Sequence, residues 1–438
     1  MRVTYLGQAC TLIEVAGKRI LTDPWLTEGA YFGTWFHTHL LADASITPTT
    51  VPKDVDHIFL SHEHEDHLDR ETLRHFPADV PVLICRFATP KFKRHLQGFG
   101  LTNIVEVPSG DTLDIGNGVE VTVFGTAEYT NDAAVLVKGD GCTVFNETDC
   151  KLGYADLERL ARERIDIGFY MFSGANWYPM MYGYPDDVMR ELVRRRRRSL
   201  LRSFVQRVKL TRPRVAVPAA GPCTVLDADR LWLNSEERGI FIDPDEAVRA
   251  VQAEKIDTTA VNMEAADVWD SRTGIERRAP DEFRASRSDY IQRAAERMAP
   301  VLRQWRAAEP PAGSDLGERL VRHFNDAVGA QTPAIRRRIG ARLAIRVTGE
   351  QSGVWTIDFM SAGPDFVREG EAPDWTNHIE IEDKLLYPFL TGEMPFFEDL
   401  LLSLRARVRR RPDEYNEPLY HFLYEPDAKK LHDWYASH

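Results

Sequence analysis

Short runs of alternating apolar residues open the chain. Arg2 to Leu6, Thr11 to Val15 and Arg19 to Thr22 read as strands, separated by Gly7 and Ala16-Gly17, and Asp23-Pro24 ends the third. His57 to Leu60 is another short apolar strand, with helical spacing at Arg70 to His75 and Lys91 to Gln97. Val119 to Phe124 alternates like a strand. Ala133 to Lys138 and Thr143 to Asn146 predict a hairpin turning through Gly139-Asp140-Gly141. Strands with interspersed helices predict α/β layers. Pro185 to Leu210 predicts a long helix with Val188, Leu192, Leu200, Leu201, Phe204 and Val208 on its apolar side and Arg194 to Arg198 opposite. Val215 to Val217 is a strand closed by Pro218-Ala219-Ala220-Gly221, and Asp227 to Pro300 reads as mostly helical and charged. Ala307 to Ser314, with Glu309-Pro310-Pro311, is the best linker. The expected domains are therefore 1–309, including a helical extension at 227–300, and 315–438. The second contains a helix at Leu316 to Val328, strands at Leu343 to Val347, Val354 to Phe359 and His378 to Ile381, and an amphipathic stretch from Leu385 to Leu404. There is no internal repeat.

Composition narrows the class. The 438 residues carry 55 Lys and Arg against 67 Asp and Glu, a net charge of −12, which argues against a nucleic-acid partner. Five Cys without a CxxC pair cannot build a disulfide framework or a Cys-based zinc site, which points to a reducing cytoplasm. Glu14 and Lys18 interrupt any signal peptide. The uncharged stretch Ile167 to Pro185 has the length of a membrane span. It is broken by Gly168, Gly174, Asn176, Pro179 and Gly183, so it reads as a buried strand followed by an aromatic loop, and no membrane is expected.

The chemistry concentrates in Ser61-His62-Glu63-His64-Glu65-Asp66-His67, directly after a predicted strand. Alternating His62 and His64 project to one side of an extended turn, and Asp66 and His67 can turn toward a second ion. Neutral imidazole with carboxylate suits zinc, iron or manganese.

This motif resembles the metallo-β-lactamase superfold, an αββα sandwich with metals at the ends of its strands. The N-terminal strands, Asp23-Pro24 and the order of elements agree with it to about residue 225. In the zinc hydrolases of this fold two later histidines complete the site, but this chain has no His between His95 and His323. The resemblance puts Glu128, in Gly125-Thr126-Ala127-Glu128-Tyr129, where the third His normally stands, with Asp132 and Glu147 as competing carboxylates. Asp149, in Asn146-Glu147-Thr148-Asp149-Cys150, matches the family's bridging Asp. The implied set is His62, His64 and Glu128 on one metal, Asp66 and His67 on the other, and Asp149 between them. Glu in place of His makes the site harder and more anionic, favouring iron or manganese and open positions for dioxygen. Such a set is similar to that of the di-iron β-hydroxylase of chloramphenicol biosynthesis.

A second resemblance covers residues 20–225. Asp23-Pro24-Trp25-Leu26-Thr27, Trp35 to His39, Glu147 to Cys150, Ser173-Gly174-Ala175 with Tyr178-Pro179, the Arg-rich helix and Ala220-Gly221 are similar to the metallo-β-lactamase-like part of CMP-N-acetylneuraminate hydroxylases. Those enzymes carry a Rieske iron–sulfur domain, whose paired Cys and His motifs do not occur here. The sugar-nucleotide substrate is not carried over.

Around the site, His39 and Asp23 are the candidate catalytic residues. His39, with His37, sits in an aromatic loop where it contacts substrate or merely packs. Asp23 either orients a ligand His or serves as a turn residue. The loop from Ser173 to Tyr184, with Trp177, Tyr178, Met180, Met181, Tyr182 and Tyr184, either walls an apolar pocket or is core. Arg194 to Arg198 is an anion site or a solvated face, and Cys150 and Cys223 read as structural thiols. Trp355 to Asp358, His378 to Ile381 and Leu385 to Leu404 weakly resemble sterol-carrier-protein-2-like domains, which hold lipid-like ligands or mediate dimerisation, so a homo-oligomer is compatible with the sequence. The expected function is a dinuclear non-haem iron oxygenase that hydroxylates or N-oxygenates a small metabolite, using dioxygen and electrons from a separate donor. The rival is a zinc or manganese hydrolase of an ester, lactone or phosphodiester. A third reading is an amphiphile-binding protein with a structural metal.

Overall fold

A computed structural model of the chain describes every residue except Ala175. It folds as two compact units. The first is Met1–Ala175 with Arg190–Ala299, and the second is Asn176–Met189 with Pro300–His438. The division falls inside the helix Arg287–Ala308 rather than at Ala307 to Ser314. The aromatic segment after Ala175 belongs to the second unit.

The first unit has four layers. One sheet has eight strands and runs, edge to edge, 274–276, 268–270, 2–7, 10–15, 18–22, 57–59, 82–85 and 104–107. The other has seven, in the order 259–260, 215–219, 167–171, 142–146, 133–139, 120–125 and 112–114. Strand alternation builds the layers, because successive side chains face opposite sides of a sheet. Val135 and Val137 turn inward against Val3, Ile13, Ile20 and Phe59 of the facing sheet. Ala134 and Leu136 turn outward and pack with Leu200, Phe204 and Val208 of the helix Asp186–Thr211. On the other outside face, Leu21, Ile58 and Val82 cover Leu73, Phe92 and Leu96 of two short helices. The hairpin between Ala133–Gly139 and Cys142–Asn146 closes at Gly139 opposite Cys142, with left-handed backbone at Asp140 (φ 52°) and Gly141 (φ 71°).

Residues 227–300 depart from the expected helical extension. They hold the helix Pro244–Ala253 and most of Arg287–Ala308, but Val268–Asp270 pairs with Arg2 to Thr4 at the edge of the first sheet, and Gly274–Glu276 pairs with Val268–Asp270 beyond it. The pairing with Arg2 to Thr4 joins chain ends about as distant as this unit allows, so local pattern carried no sign of it.

In the second unit, five strands run in the order 367–369, 353–358, 342–348, 377–382 and 407–410, packed with helices that include Leu316–Gly329. Leu385 to Leu404 is two helices, Asp383–Thr391 and Phe397–Leu402. Trp177 and Tyr182 pack on Tyr420, and the Arg410 guanidinium lies 5.1 Å from the Tyr178 and Tyr182 rings, so the aromatic segment is core here. Among the described residues no helix is long and apolar enough to cross a membrane.

Both sheets of the first unit are parallel in the half that ends at 22, 59, 146, 171 and 219, so several strands release their chains at one edge. One buried ion pair braces that edge. Arg207, on the long helix, puts Nε 2.7 Å from Oε1 of Glu147, and Met171 N donates to Oε2 at 3.0 Å. Burial pushes the Glu147 carboxyl up to about 7 against the pull of Arg207. Breaking a buried pair from one side strands a charge. Arg207→Met is therefore expected to lose about 3–5 kcal/mol in urea unfolding. The double variant Glu147→Leu, Arg207→Met should recover most of it.

Candidate metal centre

The strand Lys18–Thr22 ends at Asp23, whose backbone is left-handed (φ 35°) and whose side chain is fully buried. Its carboxylate accepts from Ser61 N (2.7 Å), Ser61 Oγ (2.7 Å) and His67 Nδ1 (2.8 Å). Asp23 therefore orients a motif histidine, and His67 keeps its Nε2 lone pair for the cluster. Burial raises the Asp23 carboxyl, while His67 and Ser61 pull it back.

His62 Nε2 lies 2.9 Å from His64 Nδ1, so two ring nitrogens converge on one point. His67 Nε2 lies 3.7 Å from Asp66 Oδ2 and 3.6 Å from Asp149 Oδ2, which makes a second convergence. One donor atom from each of His62, His67 and Asp149 lies within 4.8 Å of the other two. Asp66 is steadied by the Tyr31 hydroxyl at 2.5 Å. Burial, reinforced by His67 and His64, keeps the His62 imidazole well below its usual range and hence neutral, the form a metal needs. Burial alone would lower His67, but Asp66 and Asp149 raise it well above its usual range. A buried histidine drawn toward imidazolium by two carboxylates marks a place where a cation is wanted.

The structure does not bring Glu128 to this cluster. Its side chain is 48% exposed and pairs with Lys151 at 2.7 Å. The strand Glu120–Gly125 ends before it, and the loop carries it outward. The carboxylate that the same loop does bury is Asp132, whose Oδ1 lies 3.4 Å from His62 Nδ1 and accepts from Ala133 N at 2.8 Å. Burial, with Asp149 opposite, pushes Asp132 well above the usual carboxylate range. Asp132 also lies in reach of the sequence reading, since it directly precedes a strand. Glu147 is engaged by Arg207 and stands behind the cluster.

His37 and His39 lie elsewhere. Trp35–His37 pairs with Cys223–Val225 in a separate two-stranded ribbon. His37 stacks on Trp25 with ring centroids 4.1 Å apart, and its Nε2 meets Trp25 O at 3.2 Å. His39 places Nδ1 2.9 Å from Glu264 Oε2. Arg197, within the Arg-rich run, turns inward to Phe241 O and Glu246, while Arg194 and Arg195 pair with Glu191.

The family comparison agrees with this architecture. Residues 2–167 match the family model described as the beta-lactamase superfamily domain, and the mixed α/β first unit has the metallo-β-lactamase fold. Over 451 residues the chain is 29% identical to a Mycolicibacterium smegmatis protein that carries the name Rieske 2Fe-2S iron-sulfur protein, covering 97% of this chain and 84% of that one. It is 28% identical over 238 residues to the mouse cytidine monophosphate-N-acetylneuraminic acid hydroxylase, covering 50% of this chain and 39% of the mouse enzyme. Among solved structures, CmlA, a diiron beta-hydroxylase from Streptomyces venezuelae, superposes with a TM-score of 0.40 at 20% identity, over 60% of this chain and 53% of its own.

Two outcomes follow from the placements. Asp132→Asn is expected to weaken metal loading about 10-fold or more, and Glu128→Gln to leave it unchanged, as read by metal content after dialysis against a graded chelator. His37 gives the second. Burial lowers its imidazole to about 3, so between pH 6.5 and 3 the unfolded chain binds a proton that the folded chain refuses. Stability is therefore complete above pH 6.5 and falls as the pH drops, with a slope approaching about 1.4 kcal/mol per pH unit from this group. His37→Phe should flatten that slope in urea midpoints measured across the interval.

Proposed function

We propose that the chain is a dinuclear non-haem iron oxygenase acting on a small metabolite. The observation that carries this reading is the makeup of the buried cluster. It gathers His62, His64 and His67 with Asp66, Asp149 and Asp132, and the first unit has no histidine after His95. A carboxylate-rich donor set is hard and anionic, which favours iron or manganese over zinc. In this reading His62 and His64 would hold one ion, Asp66 and His67 the other, and Asp149 would be shared by both. The resident ions would supply dioxygen activation.

The chain's own residues do the rest. Asp23 fixes the tautomer of His67 by accepting at Nδ1, and Ser61 Oγ, 2.8 Å from His62 Nδ1, does the same for His62. Tyr31 holds Asp66 through its hydroxyl. Burial of His62, Asp66 and His67 keeps bulk water from the donor atoms. The hydroxylase name of the mouse relative supports oxidative chemistry, the iron–sulfur name of the mycobacterial relative supports an iron–sulfur electron source, and we assign the electrons here to a separate donor protein. The five cysteines are free thiols, in keeping with a reducing cytoplasm.

Anaerobic reconstitution with ferrous iron tests the reading. About two irons per chain, and a visible band on admitting air to the reduced protein, are expected from this donor set. Tightly held zinc with no oxygen-dependent spectrum would overturn it in favour of a metallo-hydrolase.

A further inference from the structure

A separate cavity of about 580 Å³ lies in the first unit, bounded by His37 to His39, the segment 260–265 and the start of the helix Arg287–Ala308. That volume suits a small-molecule site. Most charges on its wall are already engaged. Arg277 and Arg284 both bind the buried Asp267, at 2.9 and 2.6 Å. Asp243 accepts from Asp245 N at 2.8 Å, and Asn262 Nδ2 donates to Asp245 at 3.2 Å and to Glu264 at 3.1 Å. Asp281 is exposed.

Arg287 differs. Its Nε and Nη2 are both buried and have no hydrogen-bond partner among the described residues. These two N–H groups lie on one edge of the guanidinium, the edge that grips a carboxylate or phosphate with two parallel hydrogen bonds. Asp243 and Glu264 act on Arg287 only through space, and burial still lowers its guanidinium below the usual range. On the same cavity His39 is 6% exposed, and its Nε2 is likewise buried without a partner. The ring is fixed by stacking on Phe283, with centroids 4.2 Å apart and planes 7° apart, and by Nδ1 facing Glu264. With Nδ1–H donating to that carboxylate, Nε2 of the neutral ring is an acceptor for a hydroxyl.

We propose that this cavity binds a small hydroxylated organic anion, its carboxylate or phosphate received side-on by Arg287 and its hydroxyl by His39 Nε2. The site stands independently of the metal chemistry. Lactate and inorganic phosphate are suitable probes, the first carrying a carboxylate with a neighbouring hydroxyl.

The test is thermal unfolding of the full chain in increasing sodium lactate or sodium phosphate, against sodium chloride at equal ionic strength. At least one of the two anions should raise the Tm saturably, and which one does so tells carboxylate from phosphate. Arg287→Gln should weaken the apparent affinity about ten-fold or more, and Arg287→Lys, which keeps charge but loses the parallel pair, should fall between. Should Arg287→Gln not fold, Arg287→Lys alone decides, because a merely electrostatic site would bind as the parent does. No anion-specific shift in the parent protein would overturn the proposal. So would equal shifts in parent and Arg287 variants, which would move the anion to another site such as the metal cluster.

Discussion

Everything at the metal edge depends on the buried carboxylate of Asp23. It sits where the strand Lys18–Thr22 leaves its sheet, and it accepts from the next parallel strand's continuation at Ser61 and from His67 six residues on. Burying an ion without partners is costly, so the carboxylate is tolerable only while those donors stay in place. The reverse also holds. Ser61 and His67 have their orientation because one acceptor satisfies both. The motif is thus locked to the sheet, and its remaining side chains are aimed by the backbone geometry that results. The left-handed backbone at Asp23 is the local strain that this arrangement sustains.

A second layer of constraint comes from behind. Glu147 and Arg207 tie the end of the strand Cys142–Asn146 to the end of Ile167–Met171 and to the long helix. Asp149 follows two residues later, after the left-handed Thr148 (φ 54°), so its reach toward His67 is set by a turn pinned at its base. The sequence around 147–149 thus divides its labour, with Glu147 as structure and Asp149 as the candidate ligand. Residue type alone could not separate them, because both are carboxylates after a strand. Arg207, sixty residues on, makes the distinction.

What was legible in the sequence follows the range of the interactions. The hairpin through Asp140-Gly141, the first three strands and the His-rich turn are local patterns, and each is present where pattern and turn chemistry predict it. The αββα layering was legible through the resemblance the motif carries. The edge strand at 268–270 was not, because its partner is the first strand of the chain, and 274–276 follows by pairing with it. Glu128 misled because the resemblance supplies an order of elements but no loop path. Residues 126–132 leave one strand and enter the next, and whether a carboxylate in such a loop faces inward depends on burial that no spacing encodes. Here Lys151 offers Glu128 an exposed partner, and Asp132 takes the buried place. Arg287 carried no signal either. Only the packed cavity shows that its guanidinium edge lacks a partner among the described residues.

The first unit therefore holds two charge imbalances of opposite sign. The metal cluster crowds Asp66, Asp132 and Asp149 against neutral His62, a set that calls for cations. The Arg287 edge calls for an anion. The short ribbon of Trp35–His37 and Cys223–Val225 touches both places. Trp35 packs edge-on against Tyr31, the residue that holds Asp66, while His37 and His39 line the cavity. Cys223, at the end of that ribbon opposite His37, feels the charge of both Asp66 and Arg287. Among the described residues no ion pair or hydrogen bond joins Arg287 to the acidic cluster, so neither place satisfies the other directly. Each place must be neutralised by its own ligand.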